Sequence, residues 1–216
     1  MARQLVQRLQ TPALPIPKDT PLKQYLDDLN NILRLFFNLL SSAVNTVLGE
    51  LGGRFIDVPN AVYYSTADQP IAVVDTGQLV TFNATYSQSG MTINGATNSK
   101  ITATYDGVYN LQFSGQPFSS SASTKIVYIW VTRNGVDLGY TAKEFALQGS
   151  SDVHNMTYNF NIDLVAGEYI EFKWSSDSTD TTLNAQVATA AHPAVAAAIV
   201  TVNFISALPA VRPTPP

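Results

Sequence analysis

Residues 101–113 read Ile-Thr-Ala-Thr-Tyr-Asp-Gly-Val-Tyr-Asn-Leu-Gln-Phe, and this stretch decides the fold. An apolar strand runs into a turn at Tyr105, Asp106 and Gly107, and an aromatic strand leaves it through Val108, Tyr109, Leu111 and Phe113. Glycine accepts a positive φ at no steric cost, so the chain is expected to reverse or to step between sheets at Gly107. The same texture fills everything after residue 54. Strand character recurs at residues 61–64, 78–85, 125–133, 140–147, 155–164, 169–174, 183–188 and 197–205. Turn signals separate these runs at Asn94-Gly95, Asp106-Gly107, Asn134-Gly135, Ala166-Gly167 and residues 175–182. Short strands with no helical period between them predict a mainly β head, a sandwich or jelly roll.

Asn134-Gly135 is the strongest of the turn signals. It lies between the apolar run 126–131 and Val136-Asp137-Leu138, as a type I′ hairpin requires. Met156, Tyr158, Phe160, Ile162 and Leu164 alternate with polar residues, which gives that strand one wet face.

The 216 residues include 13% charged ones, about half the usual share for a soluble domain. Ser, Thr, Asn, Gln and Gly fill the gap, so much of the surface is neutral or covered by partners. The formal net charge of -4 is too small to indicate a nucleic-acid or membrane partner. Cysteine is absent, which excludes disulfides and thiolate metal sites. Arg3, Arg8 and Lys18 precede the first acidic residue, so the chain opens with a basic segment. That opening lacks a continuous apolar core and a small-residue cleavage site, and no apolar run reaches the ~20 residues of a membrane span. Synthesis and folding in a cytoplasm are expected.

Four segments are expected: an arm (1–20), a helical stalk (21–52), the β head (54–208) and a Pro-rich tail (209–216). Pro12, Pro15 and Pro17 hold the arm extended and remove backbone donors. It is read either as a disordered leader or as a peptide that orders on another protein, with Leu14 and Ile16 in pockets. Thr20 and Pro21 suit an N-cap and a first helical position, and Gly52-Gly53 suits the stop. Between them Leu26, Leu33, Leu40 and Val47 occupy heptad positions a, and Leu22, Leu29, Phe36 and Ala43 positions d. Tyr25, Ile32 and Leu39 widen the stripe on one side, and Phe37, Val44 and Leu51 on the other. Such a stripe either packs on the chain's own sheet or associates into a short bundle, and its width favours the bundle.

The order of the β motifs resembles the tumour necrosis factor and complement globular-head superfamily. Residues 101–113 are similar to its Tyr-x-Gly-x-Tyr-x-Phe strand pair, and Val131-Thr132-Arg133-Asn134-Gly135 to its Asn-Gly hairpin. Leu164-Val165-Ala166-Gly167-Glu168-Tyr169-Ile170 resembles its Leu-x-x-Gly-Asp-x-Val step, with Glu168 in place of Asp. Val202-Asn203-Phe204-Ile205 resembles its closing strand. The resemblance covers roughly residues 75–206. It implies a ten-stranded jelly roll that assembles as a trimer through aromatic inner faces, with the amphipathic helix as a trimeric bundle. No Gly-x-y repeat precedes the head, so the collagen-linked branch does not apply. An arm, an apolar bundle and a jelly-roll head together look like bacteriophage virion proteins: capsid decoration (cement) proteins, head fibres or short tail fibres. The expected partners are the chain itself and a major capsid or other virion protein, contacted through Arg3, Arg8, Leu14, Ile16, Phe36 and Phe37. The alternative is a tail-fibre or adhesin head that binds a host surface glycan through loops 119–124 and 175–182.

No catalytic or metal constellation is evident, and no cofactor is expected. His154 and His192 lack ligand-spaced neighbours and are expected in exposed loops, and no Gly-x-Ser-x-Gly elbow exists. Asp177-Ser178-Thr179-Asp180 lacks the spacing of a calcium loop and is read as a solvated turn. Trp130, Trp174, Tyr128, Tyr140 and Tyr158 are read as core or trimer contacts rather than a sugar platform. Residues 190–198, Ala-rich around Pro193, are read as a loop or edge near a threefold axis, and the tail as a mobile end or a contact peptide.

Overall fold

The computed structural model of the chain describes residues 22–48, 58–94, 98–149 and 152–208, with helix side chains through residue 45. Thr20, Pro21, Gly52, Gly53 and Gly95 lie outside these residues, as do Arg3, Arg8, Leu14, Ile16, Leu51, the side chain of Val47 and the tail. The chain divides into two compact units, Met1–Asp57 and Val58–Pro216.

The first unit carries the helix α1 (Leu22–Leu48), which no proline interrupts. Its heptad pattern leaves Leu29, Leu33, Phe36, Leu40 and Ala43 half-buried along one stripe, together with Tyr25 and Ile32. Phe36 and Phe37 meet edge to face at 5.8 Å.

The second unit is all β. In chain order its strands begin with β1 (Asn60–Ser65), β2 (Gln69–Pro70), β3 (Gln78–Leu79), β4 (Ala84–Ser89) and β5 (Met91–Asn94). Next come β6 (Lys100–Ala103), β7 (Gly107–Gly115), β8 (Pro117–Ser119), β9 (Lys125–Arg133), β10 (Val136–Asp137) and β11 (Lys143–Leu147). Last are β12 (Asp152–Val153), β13 (Met156–Leu164), β14 (Tyr169–Ser176), β15 (Thr181–Leu183) and β16 (Ala198–Ser206). One antiparallel sheet has the order β13-β7-β16-β1-β4. The opposing sheet runs β10-β9-β14-β6-β5, with β11 also on β9 and β3 also on β14. The first strand pairs with the last, β1 with β16, while β6 to β7, β13 to β14 and β14 to β16 all cross between sheets. This is a jelly roll, within the mainly β class that the sequence predicts. A small sheet, β12-β8-β15-β2, closes one end.

The core lies between the two main sheets. Phe113 of β7 stacks on Phe172 of β14 at 4.8 Å, and Tyr158 of β13 meets Phe172 edge-on at 6.1 Å. Trp174, Tyr63, Tyr109, Ile129 and Leu111 are fully buried around them. Burying each large apolar side chain contributes about 1.5–3 kcal/mol to holding the two sheets together. The aromatic inner faces expected to meet across a trimer therefore pack inside a single chain. Any contact between copies has to use other faces.

Two turns show how the local sequence works. Arg133 pairs with Val136, and Asn134 and Gly135 take φ of 50° and 82°, the two positive values of a type I′ turn. Gly107 differs from the expectation. The chain does step between sheets there, from β6 to β7, but Gly107 is not among the residues with positive φ. Glycine is needed because a Cβ at this position would meet Phe204 Cε2 at 2.4 Å. The Tyr109 hydroxyl donates to the Tyr105 carbonyl at 2.6 Å and fixes the turn from the other side.

Other boundaries also shift. The expected strand 78–85 breaks into β3 and the start of β4, the 140–147 run begins at Lys143, and the 183–188 run ends at Leu183. Strands β2, β5, β8 and β12 had no counterpart in the sequence reading.

Candidate functional site

The five-stranded sheet turns one face to the core and one outward. Alternation sends Val108, Asn110, Gln112 and Ser114 of β7 outward, with Thr157, Asn159 and Asn161 of β13. From β16 come Ile199, Thr201 and Asn203, and from β1 come Asn60, Val62 and Tyr64. The register arranges these side chains in rows across four strands. One row is Asn161, Asn110, Asn203 and Asn60, and the next is Asn159, Gln112, Thr201 and Val62. A third row is Thr157, Ser114, Ile199 and Tyr64. Asn110 Nδ2 donates to Oδ1 of Asn159 and of Asn161, each at 2.7 Å, and Gln112 Nε2 donates to Asn110 Oδ1 at 3.0 Å. No residue in these rows carries a charge at neutral pH. Asp163 stands at one end of the face, 3.6 Å from Arg133 Nη2.

The opposite sheet presents a charged outward face. Lys173 Nζ donates to Asp137 Oδ1 at 2.8 Å, and Trp130 Nε1 donates to the same oxygen at 2.9 Å. These two donors, Lys173 first, hold the Asp137 carboxyl below the usual carboxylate range. The Tyr128 hydroxyl donates to Glu144 Oε2 at 2.8 Å, which pushes the phenol up. Glu171 is buried on this face and accepts from Ser99 Oγ at 2.8 Å.

At the end of the neutral face where β1 runs out, residues 184–197 leave β15, reach out and return to β16. They form a narrow arm. Gln186 N donates to Val195 O at 2.9 Å, Val195 N donates to Gln186 O at 2.8 Å, and Thr189 N to His192 O at 2.9 Å closes the tip. The Ala-rich segment splits along this arm, with Ala197 and Ala198 in the core and Ala190, Ala191 and Ala194 exposed. Between the arm and the end of β1 lies an open groove of about 430 Å³, lined by residues that include Tyr64, Thr66, Asp68, Val187 and Val195.

The sequence-derived site residues fall as follows. In the helix seam Leu22 and Leu26 are 72% and 45% exposed, while Leu29, Leu33, Phe36, Leu40 and Ala43 are half-buried. Of the attachment residues within the described residues, Phe36 is half-buried and Phe37 is 59% exposed. The aromatic set separates: Trp174 and Tyr158 are core, while Tyr128 and Trp130 lie on the charged face. Tyr140 is almost wholly exposed at φ 60°. His154 Nε2 lies 3.0 Å from Asp152 Oδ2 on the surface, and the half-buried His192 has Nδ1 2.8 Å from the Pro193 carbonyl. Residues 177–180 form a turn tied by its own hydroxyls. Asp177 Oδ1 accepts from Ile126 N at 3.0 Å, and Ser178 Oγ donates to Asp180 Oδ2 at 3.3 Å. Among the described residues no cluster of three or more His, Cys, Asp or Glu side chains could hold a metal ion. The neutral rows were not anticipated; residues 190–198 were expected as a loop or edge near a threefold axis, and they form part of the arm. Alternation on β7 and β13 signalled a wet face, but only cross-strand register shows which polar residues share a row.

No family model matches the chain, and no curated protein matches it. Among solved structures, the globular domain of zebrafish complement 1qA protein is similar at 15% identity and a TM-score of 0.44. The match covers 70% of this chain and 99% of that domain. The jelly-roll assignment stands on the strand order above.

Proposed function

We propose that the chain is a homotrimeric structural protein without enzymatic activity, a jelly-roll head carried on a helical stalk. The observation that carries this reading is the contrast between the two outward sheet faces. Burying a charge costs several kcal/mol unless it is paired, and interface centres are depleted of charge for that reason. The rows of β13, β7, β16 and β1 hold no charge to desolvate, whereas covering the opposite face would take the half-exposed Lys173–Asp137 pair out of water. Amide rows suit such a contact, because each Asn offers donors and an acceptor to a partner when water leaves. The helix supports the same reading, since Leu22, Leu26 and Phe37 are exposed apolar residues that a bundle would cover. Closed threefold symmetry lets one copy's face meet a different surface of the next.

Light scattering on the full chain and on residues 58–216 tests this. Trimeric mass is expected for both. Monomers in both preparations would overturn the reading.

The proposal extends to location. The trimer would decorate a virus particle, as a capsid cement protein or head fibre made in the host cytoplasm, held by Arg3, Arg8, Leu14, Ile16 and Phe37. A basic, Pro-rich leader before an apolar helix supports attachment, and three arms on one trimer gain avidity. Full-length protein should bind empty capsids, and removal of residues 1–20 should abolish binding. A second reading, a glycan-binding head, is favoured by Tyr128 and Trp130 side by side on the charged face with carboxylates in reach. Glycan-array binding by residues 58–216 would support it.

A further inference from the structure

We infer that the arm of residues 184–197 is a contact element between copies, and that the groove beside it receives the adjoining copy of this chain. The inference rests on the trimeric reading and goes beyond it, by adding a second and separate contact to the neutral sheet face.

Three observations carry it. The first is composition: no Asp, Glu, Lys or Arg occurs between Asp180 and Arg212, a stretch that contains the whole arm. A solvated loop of this length in a chain of ordinary make-up would carry several charges. Here the exposed positions are Gln186, Val187, Ala188, Thr189, Ala190, Ala191, Pro193 and Ala194, apolar but for two neutral polar residues, and Val187 is 82% exposed. The second is order. The two-way bridge between Gln186 and Val195 and the bond at the tip preform the arm, so docking it costs little conformational entropy. The base of the arm is tied to the head through Asn184, Ala185 and Ala197, while the outer positions from Gln186 to Ala191 stay exposed and available to a partner.

The third observation is continuity. Tyr64 belongs both to the outward rows of the neutral face and to the groove wall. A copy seated on the face at the β1 end therefore reaches the groove without a break. Asp68 is the one acidic residue in the groove lining, and its Oδ1 already accepts from Ala185 N at 2.7 Å. The groove thus presents little unmet charge to an incoming chain. Its volume of about 430 Å³ suits a few apolar side chains. A second copy fits better than a charged macromolecule, because only an equally neutral surface matches both the face and the arm.

The absence of cysteine makes the test direct. A Val187→Cys variant of the full chain is compared with a Val136→Cys variant, whose site is 68% exposed next to the charged face. Mass is measured for each, then the rate of thiol alkylation, with a urea-unfolded control to equalise intrinsic reactivity. The expected result is a trimer in which the Val187→Cys variant is modified on the order of tenfold more slowly than the Val136→Cys variant. A trimer that labels equally at both sites overturns the arm contact and leaves the trimer standing. A monomer overturns both. Hydrogen exchange on the unsubstituted chain repeats the test without a substitution. Arm peptides should exchange more slowly than the peptide carrying the exposed Gly139 and Tyr140, and equal exchange would overturn the inference.

Discussion

Replacing Gly107 with alanine separates two reasons for a glycine. If the turn needed a positive φ, the cost would lie in the backbone and would not depend on neighbours. The structure gives the other reason. An added Cβ falls 2.4 Å from Phe204 Cε2 and 2.7 Å from Cδ2, with the Ser206 carbonyl oxygen at 3.2 Å. Carbon atoms settle at about 3.5–4.0 Å, so the ring would have to move by roughly an ångström. It is not free to do so, because it stands edge-on to Tyr109 at 5.7 Å and 80°, and Tyr109 is fully buried. Overpacking of this kind costs about 1–3 kcal/mol, and disturbing an aromatic pair contributes about 0.5–1.5 kcal/mol of that. Gly107→Ala should therefore destabilise by about 2 kcal/mol. In a Phe204→Leu background the same change should cost under about 0.5 kcal/mol, a coupling of about 1.5 kcal/mol. Urea unfolding followed by circular dichroism measures all four proteins, at one concentration because assembly adds mass action. An equal cost of Gly107→Ala in both backgrounds would refute the steric account and restore the backbone one.

Glu168→Gln removes the charge opposite Arg133 Nη2, 2.7 Å away, while Oε1 and Oε2 also hold Asn134 and Val165 N. It should cost about 1–3 kcal/mol in urea unfolding, with the jelly-roll circular dichroism retained. Burial pushes the Tyr63 phenol up from 10.0 to about 12, so the folded state holds that proton more tightly than the unfolded state. The resulting stability is complete below pH 10 and is lost as pH rises toward 12, and Tyr63→Phe should flatten this decline in the urea midpoint. Asp137 is shifted the opposite way, so its contribution is present above the ordinary carboxylate range and is lost as pH falls through its lowered pKa. Trp130 fluorescence should report that titration, and Asp137→Asn should abolish it.

The sequence carried the sandwich because the information is local. Ile101, Tyr109, Leu111 and Phe113 declare buried positions by alternation, and Asn134-Gly135 declares its turn by backbone preference. Short strands such as β2 and β8 were not legible, since two or three residues hold no period and Pro70 and Pro117 argue against a strand. The role of Gly107 was not legible either. Its partner Phe204 is nearly a hundred residues away, and a close approach between distant residues leaves no mark in local composition. The Asn row has the same origin. Asn60, Asn110, Asn161 and Asn203 are ordinary polar residues one by one, and become a surface only through the register of β1, β16, β7 and β13. Of the aromatic residues expected as core or trimer contacts, Trp174 and Tyr158 are core, while Tyr128, Trp130 and Tyr140 lie at the surface. Periodicity reports that a residue is covered, and it does not report whether its own chain or another does the covering.

The scarcity of charge also takes on a specific meaning once it is placed in the fold. Neutral residues are not spread evenly, because the charge-free stretch between Asp180 and Arg212 supplies both the arm and β16, the central strand of the neutral sheet. The charged groups gather on the opposite sheet, around Lys173, Asp137, Glu144 and Glu171. A free copy with a leucine-rich outward face would aggregate before finding its partners. An amide-rich face avoids this, since Asn and Gln bond to water in the free copy and exchange those bonds for bonds to a neighbour on contact. The exchange is nearly neutral per bond, so net affinity has to come from shape and from the apolar residues at the margin. Apart from Val108 at the far end, those residues are Val62, Tyr64 and Ile199 on the face and Val187 on the arm, toward the end where the groove opens. On this reasoning the amides set register and exclude wrong partners, while the arm and groove supply the apolar burial that holds the copies together.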